Sequence, residues 1–369
     1  MSCRSWKHLL PLLLAMELGS NPDVFPFESP DVANGGSANL AVLVEGHVSV
    51  KRKGTTRFEP VVFGANLKAG DLLQVDQSSH AKIICSDLTV HEILPGVVGV
   101  PCMGAHEVLR SKDGSAINVT RSGPADGSFP IILSPRKTKL LSSTPSLHWT
   151  PVQGASSYTV AIRGPQFYWE TQVSGTDLAY PADAPGLSSG IDYKLIVQAN
   201  GRSSSEEAGV GLGFSVLDDK DRATVEKAQR QVEKLGLPEG PTQFLIARVY
   251  AGYGLRADTI QRLEGLSTRL KAAAVPRALG DLYLEVGLPR QAETKYLNAL
   301  ALSEEENDEE AQMMIHLSLA NIYEEALGNN QLARQHLDAT LALATKIGDE
   351  KTASQADKKL KELQKEGVQ

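Results

Sequence analysis

Two short motifs contain residue types that could do chemistry. Gly186-Leu-Ser-Ser-Gly190 has the written form of a hydrolase nucleophile elbow, which needs a strand before the serine and a helix after it. Here a proline-containing stretch precedes the motif and a strand pattern follows it, so we predict a structural turn. Gly209-Val-Gly-Leu-Gly213 has its third glycine one residue too early for a dinucleotide loop, and a strand pattern follows. We therefore expect no enzyme.

Histidines near the N-terminal end could suggest a metal site. Half of the eight histidines, His47, His80, His91 and His106, lie within residues 38–134. None is spaced as His-x-His or His-x-x-x-His with an acidic residue behind it. We expect strand histidines, no metal and no cofactor.

Length and charge limit the possible classes of protein. The 369 residues exceed one ordinary core and predict two or three domains, of which we expect three. With 41% hydrophobic and 22% charged residues the chain should be globular. A net charge of −7 provides no basic field for nucleic acid. No apolar run reaches the about 18 residues that span a bilayer, so we expect no transmembrane helix.

The first residues resemble an export signal. Arg4 and Lys7 precede the apolar run from Leu9 to Met16, although Glu17 follows directly. We assign residues 1–20 to a possible signal peptide and residues 21–37, rich in proline and glycine, to a linker. The expected location is extracytoplasmic, periplasmic or secreted, with possible association with the cell envelope. The alternative is an uncleaved N-terminus on a cytoplasmic protein.

The three cysteines leave one pair in an exported product. Cys3 lies in the possible signal, and Cys85 and Cys102 remain. They could form a disulfide, or they could be two thiols in a reducing compartment.

Residues 38–134 show the pattern of a small all-β domain. Glu45-Gly-His-Val-Ser-Val50, then Leu67-Lys-Ala-Gly-Asp-Leu-Leu73, then Ala81-Lys-Ile-Ile-Cys-Ser-Asp87 are short strands joined by polar turns. This order resembles the FecR-type extracytoplasmic β domain. The family's transmembrane helix and sigma-regulating segment have no counterpart before it, so that signalling role is not carried over.

Residues 135–217 predict a second β domain of about 80 residues. Trp149 ends one strand pattern, and Tyr158 opens the next after a turn. Leu187-Ser-Ser-Gly190-Ile-Asp-Tyr193 is similar to the tyrosine corner of fibronectin type III and related sandwiches. The resemblance implies an immunoglobulin-like β-sandwich.

Residues 218–369 change to a helical period. Three sets of small and large apolar residues recur at corresponding positions, and they resemble the tetratricopeptide repeat. The third set fits if one residue is inserted before Gly328, and a last helix from about Glu350 to Lys365 would cap the stack. The resemblance implies a C-terminal α-solenoid. The three sets are Ile246-Ala247, Tyr250, Gly254 and Leu263; Leu279-Gly280, Tyr283, Gly287, Ala292 and Tyr296; and Leu319-Ala320, Tyr323, Gly328, Ala333 and Leu337.

The resemblance also implies which residues line a groove on the first helices of the repeats. These are a mixture of charged, polar and apolar side chains, and they differ from the Lys/Asn/Arg set with which some relatives bind a C-terminal carboxylate. We therefore expect a protein or peptide partner without naming it. The residues are Phe244, Arg248, Arg277, Asp281, Leu284, Leu317, Asn321 and Glu324.

Two hypotheses about function follow. The favoured one is a non-catalytic extracytoplasmic adaptor or scaffold that binds its partner in the helical groove. The alternative is an envelope-associated sensor or glycan-binding protein, whose β domains carry recognition through aromatics such as Tyr168 and Trp169.

Overall fold

A computed structural model describes residues 39–68, 70–85, 90–102, 127–208 and 213–366. Sheets occupy the N-terminal part and helices the C-terminal part. The possible signal peptide, the linker, Cys3, His106 and most of the Gly209–Gly213 motif lie outside the described residues.

Among the residues that the structure describes, the first β unit has eight strands in two four-stranded sheets. Their orders are β4-β1-β6-β7 and β3-β2-β5-β8, and residues of both sheets share one apolar core. Cys85 and Cys102 lie in this core with their Cα atoms 5.4 Å apart and their sulfurs joined. The strands are β1 Asn39–Glu45, β2 Val48–Lys51, β3 Glu59–Pro60, β4 Asn66–Leu67, β5 Leu72–Val75, β6 His80–Ile84, β7 Val90–Ile93 and β8 Gly96–Gly99.

Strand β1 is buried on both faces. Ala41 packs into the core of the first β unit, whereas Leu40 and Val42 belong to a cluster that contains helical residues. Side chains alternate between the two faces of a strand, so an unbroken apolar run fits a strand covered on both sides. The first β unit therefore lies directly against the helices.

The second β unit consists of a six-stranded and a three-stranded sheet around a shared core. It begins before residue 135, because the strand Ile132–Ser134 pairs with the strand Ser146–Trp149 of this unit. The expected boundary at residue 135 therefore falls too late in the chain. Its strands are β9 Ile132–Ser134, β10 Thr138–Leu140, β11 Ser146–Trp149, β12 Tyr158–Gly164, β13 Phe167–Val173, β14 Asp177–Ala179, β15 Asp192–Ala199, β16 Ser203–Ser204 and β17 Gly213–Val216.

The Gly186–Gly190 motif forms a corner. Leu187 is buried, Gly190 has a positive φ of 72°, and the Ser188 N–H donates to the Tyr193 hydroxyl at 2.8 Å. Strand β15 follows, where a nucleophile elbow would need a helix. The motif thus acts as a turn that anchors β15.

Eight α-helices follow in the described residues, and successive helices pack on each other. After α1, three pairs alternate as first and second helices, and α8 closes the stack with Ala356, Leu360 and Leu363 in the core of the last pair. The helices are α1 Asp219–Glu233, α2 Glu239–Gly252, α3 Arg256–Ser267, α4 Ala274–Glu285, α5 Pro289–Glu305, α6 Glu309–Asn321, α7 Asn330–Ile347 and α8 Glu350–Glu366.

The recurring residues have recurring structural roles. Gly254, Gly287 and Gly328 have φ values of 75°, 78° and 62° at the turn between the two helices of each pair. Left-handed backbone favours glycine, which explains its recurrence. In the third pair a π-helical turn, Ile322–Ala326, follows α6. A π-turn accommodates one extra residue, and it lies at the insertion that the sequence predicts before Gly328.

Within the described residues, no helix has the length and apolar character needed to cross a membrane.

Candidate functional site

The first β unit covers the beginning of the helical stack through an apolar contact. The rings of Phe63 and Phe244 meet edge to face with centroids 5.3 Å apart. Leu40, Val42 and Ile84 join the same cluster as α1 and α2. Phe244 is 3% exposed, so this predicted groove residue serves a contact within the chain.

An ionic contact continues the same interface further along the stack. Arg52 pairs with Glu310 at the start of α6, and Lys68 lies 3.6 Å from the same carboxylate. Arg52 also pairs with buried Asp71 at 2.8 Å. Paired on both sides, the Arg52 guanidinium connects the first β unit to the third helix pair.

The second β unit holds the opposite ends of the helices. Buried Arg136 donates from Nε to the Val286 carbonyl oxygen at the end of α4, at 2.6 Å. The Lys139 N–H donates to the Gly254 carbonyl oxygen at 2.9 Å. A cation at a helix C-terminus satisfies free carbonyl groups and complements the helix dipole. The two β units thus contact two different edges of the stack.

The surface formed by α2, α4, α6 and the π-helical turn after α6, here called the first-helix face, carries the other predicted groove residues. Arg248 of α2 lies close enough to Arg277 and Asp281 of α4 to interact with them electrostatically. Asp281 is exposed and accepts from the Tyr296 hydroxyl at 2.5 Å. Leu284 is 7% exposed and packs in the core of the last repeats, so it is not part of the open surface.

Arg248 contributes a positive charge to this face. It is partly buried, and no hydrogen bond or ion pair joins its guanidinium to another residue in the described part of the chain. Burial and the neighbouring Arg277 charge lower the pKa of Arg248, against the opposite effect of Asp281. An arginine remains charged under such conditions. The face therefore presents a recessed positive charge.

The α6 end of the first-helix face combines apolar and polar groups. Leu317 is partly buried, while Asn321 and Glu324 are bound by Lys359 of α8, each at 2.9 Å. Met314, one turn before Leu317, is 39% exposed. A flexible, polarisable methionine suits a binding surface, and sequence reasoning missed this residue because it falls outside the groove register.

The histidines that were considered as metal ligands do not form a metal site within the described residues. His80 lies 3.4 Å from Glu92 on an exposed surface. The described residues hold no group of three or more His, Cys, Asp or Glu side chains arranged to bind a metal ion.

Comparisons with known proteins concern the helical part. No protein-family model matches the chain, and no curated protein matches it. The crystal structure of MamA matches 41% of this chain and 95% of its own at 18% identity, with a TM-score of 0.28. A second match is the crystal structure of the nearly identical TPR-like repeats of a Podosopora anserina putative kinesin light chain. It covers 40% of this chain and 90% of its own at 16% identity, with a TM-score of 0.28. The crystal structure of BtubC (BKLC) from P. vanneervenii covers 40% of this chain and 74% of its own at 14% identity, with a TM-score of 0.26.

MamA and the kinesin light chain are TPR-like repeat proteins that match the C-terminal helical part of this chain. At these identities and TM-scores the likeness supports no conclusion about a ligand or partner. The FecR-like and immunoglobulin-like resemblances of the β units stay predictions.

Proposed function

We propose that the chain is a non-catalytic adaptor that binds a protein or peptide partner on its first-helix face. The observation that carries the proposal is the Arg248 guanidinium, which lies near Arg277 and has no hydrogen bond or ion pair within the described residues. A partly buried charge that forms no ion pair is costly, and an acidic group of a bound segment would add a bonded partner to the nearby Asp281 charge. Met314 and Leu317 offer apolar contact on the same face.

The β units would hold this face in place. Contacts through Phe63, Arg52 and Arg136 bind both β units to the helices, so the face is carried on a braced scaffold. Preorganisation of this kind lowers the entropy lost on binding. FecR-like and fibronectin/immunoglobulin-like identities for the two units are part of the proposal, and the Tyr193 corner supports the latter.

Charge reversal tests the proposed face. The full-length tagged chain with Arg248→Glu and Arg277→Glu should capture its partner from native extract at least tenfold less well than the wild type. The matched control is Arg269→Glu with Arg334→Glu, which changes the charge equally at two exposed positions. Helical circular dichroism should be the same in all three proteins. Equal capture by the two variants would contradict the proposed face.

The proposal places the adaptor outside the cytoplasm. The adjacent Cys85 and Cys102 support it, because disulfides persist in oxidising compartments. Intact mass spectrometry of the native protein should show a start near Ser20 and a mass two hydrogens below that of the reduced chain. An intact, reduced chain would place the protein in the cytoplasm.

A glycan-binding role for the second β unit is the second candidate. Tyr168 on edge strand β13 is 58% exposed and lies beside Arg163, with the guanidinium 5.8 Å from the ring centroid. Trp169 turns the other way and packs on Tyr180 with ring centroids 4.8 Å apart, which leaves one aromatic side chain for a platform. Tyr168→Ala should abolish binding of the full chain to cell-wall polysaccharide if this candidate is right.

A further inference from the structure

Two histidines meet between the helices of the third pair. His316 on α6 and His336 on α7 approach with their Nδ1 atoms 2.8 Å apart. Both side chains are partly buried. At this distance one ring must donate an Nδ1–H to the Nδ1 lone pair of the other. The contact therefore holds only while one Nδ1 is unprotonated.

The first helix pair places different chemistry at the corresponding positions. There Arg262 donates to Gln243 and lies over the Tyr250 ring, 4.9 Å from its centroid. In the third pair His336 faces His316 and stacks on the Tyr323 ring, with centroids 5.4 Å apart.

The repeat register makes these two arrangements equivalent. Gln243 and His316 each lie four residues before the recurring alanine of the first helix. Arg262 and His336 each directly precede the recurring leucine of the second helix. The third helix pair therefore has two titratable imidazoles where the first pair has a permanently charged arginine and a neutral glutamine.

Charged groups of the surrounding elements are engaged elsewhere. Glu293 of α5 accepts from the Tyr323 hydroxyl at 2.7 Å and pairs with Arg290 at 3.5 Å. Lys359 of α8 binds Asn321 and Glu324. Among the described residues, no carboxylate forms a hydrogen bond or ion pair with either imidazole, so neither ring would have a bonded counter-charge when protonated.

We propose that the third helix pair is an acid-sensitive joint, in which the second protonation of the His316–His336 pair breaks the contact between α6 and α7. The first proton can bind the free Nε2 of the donor ring, and the Nδ1–H···Nδ1 bond survives. The second proton must bind the accepting Nδ1, which leaves two N–H groups and two positive charges face to face. Separation of the rings relieves both conflicts.

The electrostatics give the pH window. Burial lowers the pKa of both histidines, and for His336 burial and the His316 charge together lower it to about 4. An opened histidine titrates near its ordinary value of about 6.5. The lowered value in the closed state means that closure is favoured above about pH 6.5 and is lost as the pH falls toward 4. The opened fraction should rise roughly thirtyfold from pH 7.5 to pH 5.

Imidazole nitrogen NMR on the full chain tests the protonation step directly. At pH 7.5 one ring of the pair should carry Nδ1–H and the other Nε2–H. As the pH is lowered, the accepting Nδ1 should bind its proton only near pH 4. Two rings that titrate independently near pH 6.5 would overturn the proposal.

Hydrogen exchange tests the opening of the joint. After correction for intrinsic exchange rates, amide protection in α6 and α7 of the wild type should fall roughly thirtyfold from pH 7.5 to pH 5, and more than in α4 and α5. The double variant His316→Gln with His336→Arg rebuilds the pair of the first repeat and should lose this pH dependence. An equal loss of protection in the variant and the wild type would overturn the proposal. The NMR titration decides the question if the variant does not fold.

Discussion

Gly280 on α4 faces the ring of Tyr296 on α5 so closely that a Cβ atom on residue 280 would lie 2.8 Å from that ring. The first repeat carries Ala247 and Leu263 at the corresponding positions. A bulkier residue on the second helix is thus matched by a smaller one on the first. Interiors packed near crystal density require such compensation.

Gly280→Ala should destabilise the protein by about 1 to 3 kcal/mol, because the added methyl group has to displace the Tyr296 ring. The better helix propensity of alanine, worth about 1 kcal/mol, would by itself act in the opposite direction. Urea unfolding followed by circular dichroism measures the difference.

Gly265→Ala is the matched control, since this exposed glycine lies within α3 and an added Cβ would meet nothing within 4 Å. It should stabilise the protein by up to about 1 kcal/mol. Gly280→Ala combined with Tyr296→Leu recreates the pairing of the first repeat and should recover most of the loss. A Gly280→Ala variant as stable as the wild type would show that the helices are not in close contact there.

Phe63→Ala should loosen the first β unit from the helices, because it removes the ring that packs against Phe244. We expect a cost of about 1 to 3 kcal/mol for this partly buried ring. Hydrogen exchange in β1 measures the loosening. Phe58→Ala is the control, since that ring contacts Lys51 of its own unit. Equal protection of β1 in the two variants would argue against the docking.

Glu310→Gln should weaken the same interface by about 1 kcal/mol, because Arg52 and Lys68 lose a charged partner while Arg52 keeps Asp71. Glu309→Gln removes the neighbouring carboxylate, which pairs with Lys346 inside the helical stack. Exchange in β1 should increase in the first variant and stay unchanged in the second, and the difference should shrink at high salt.

Replacing both Cys85 and Cys102 by serine should lower the free energy of unfolding by about 3 kcal/mol, as expected for a bond across 17 residues. A reductant should lower the stability of the wild type by a similar amount and should leave the variant unchanged. A wild type insensitive to reductant would mean that the two thiols are not bonded.

Much of the helical architecture could be predicted from local sequence. Tyr250 and Gly254 recur as Tyr283 and Gly287, because a left-handed turn after each first helix favours glycine. The irregular third spacing also predicted an extra residue, which the π-turn Ile322–Ala326 accommodates.

The docking of the β units could not be predicted in this way. The unbroken apolar run of β1 signals burial on both faces, yet it does not say what covers the second face. Phe244 occupies a groove position in the repeat register, but Phe63, about 180 residues earlier in the chain, packs on it. Likewise, the isolated Arg136 has no pattern around it that would reveal its bond to Val286. Such contacts depend on the relative placement of whole units.

Site-specific photocross-linking in the native host tests the central claim most directly. A photoreactive amino acid at Met314, which is exposed on α6 beside Leu317, should give a cross-link to one discrete partner. The same group at exposed Arg334 on α7 should give none. Arg248→Glu introduced with the Met314 probe should abolish the cross-link. Cross-links from Arg334 but not from Met314, or a Met314 cross-link unaffected by Arg248→Glu, would contradict binding on the first-helix face.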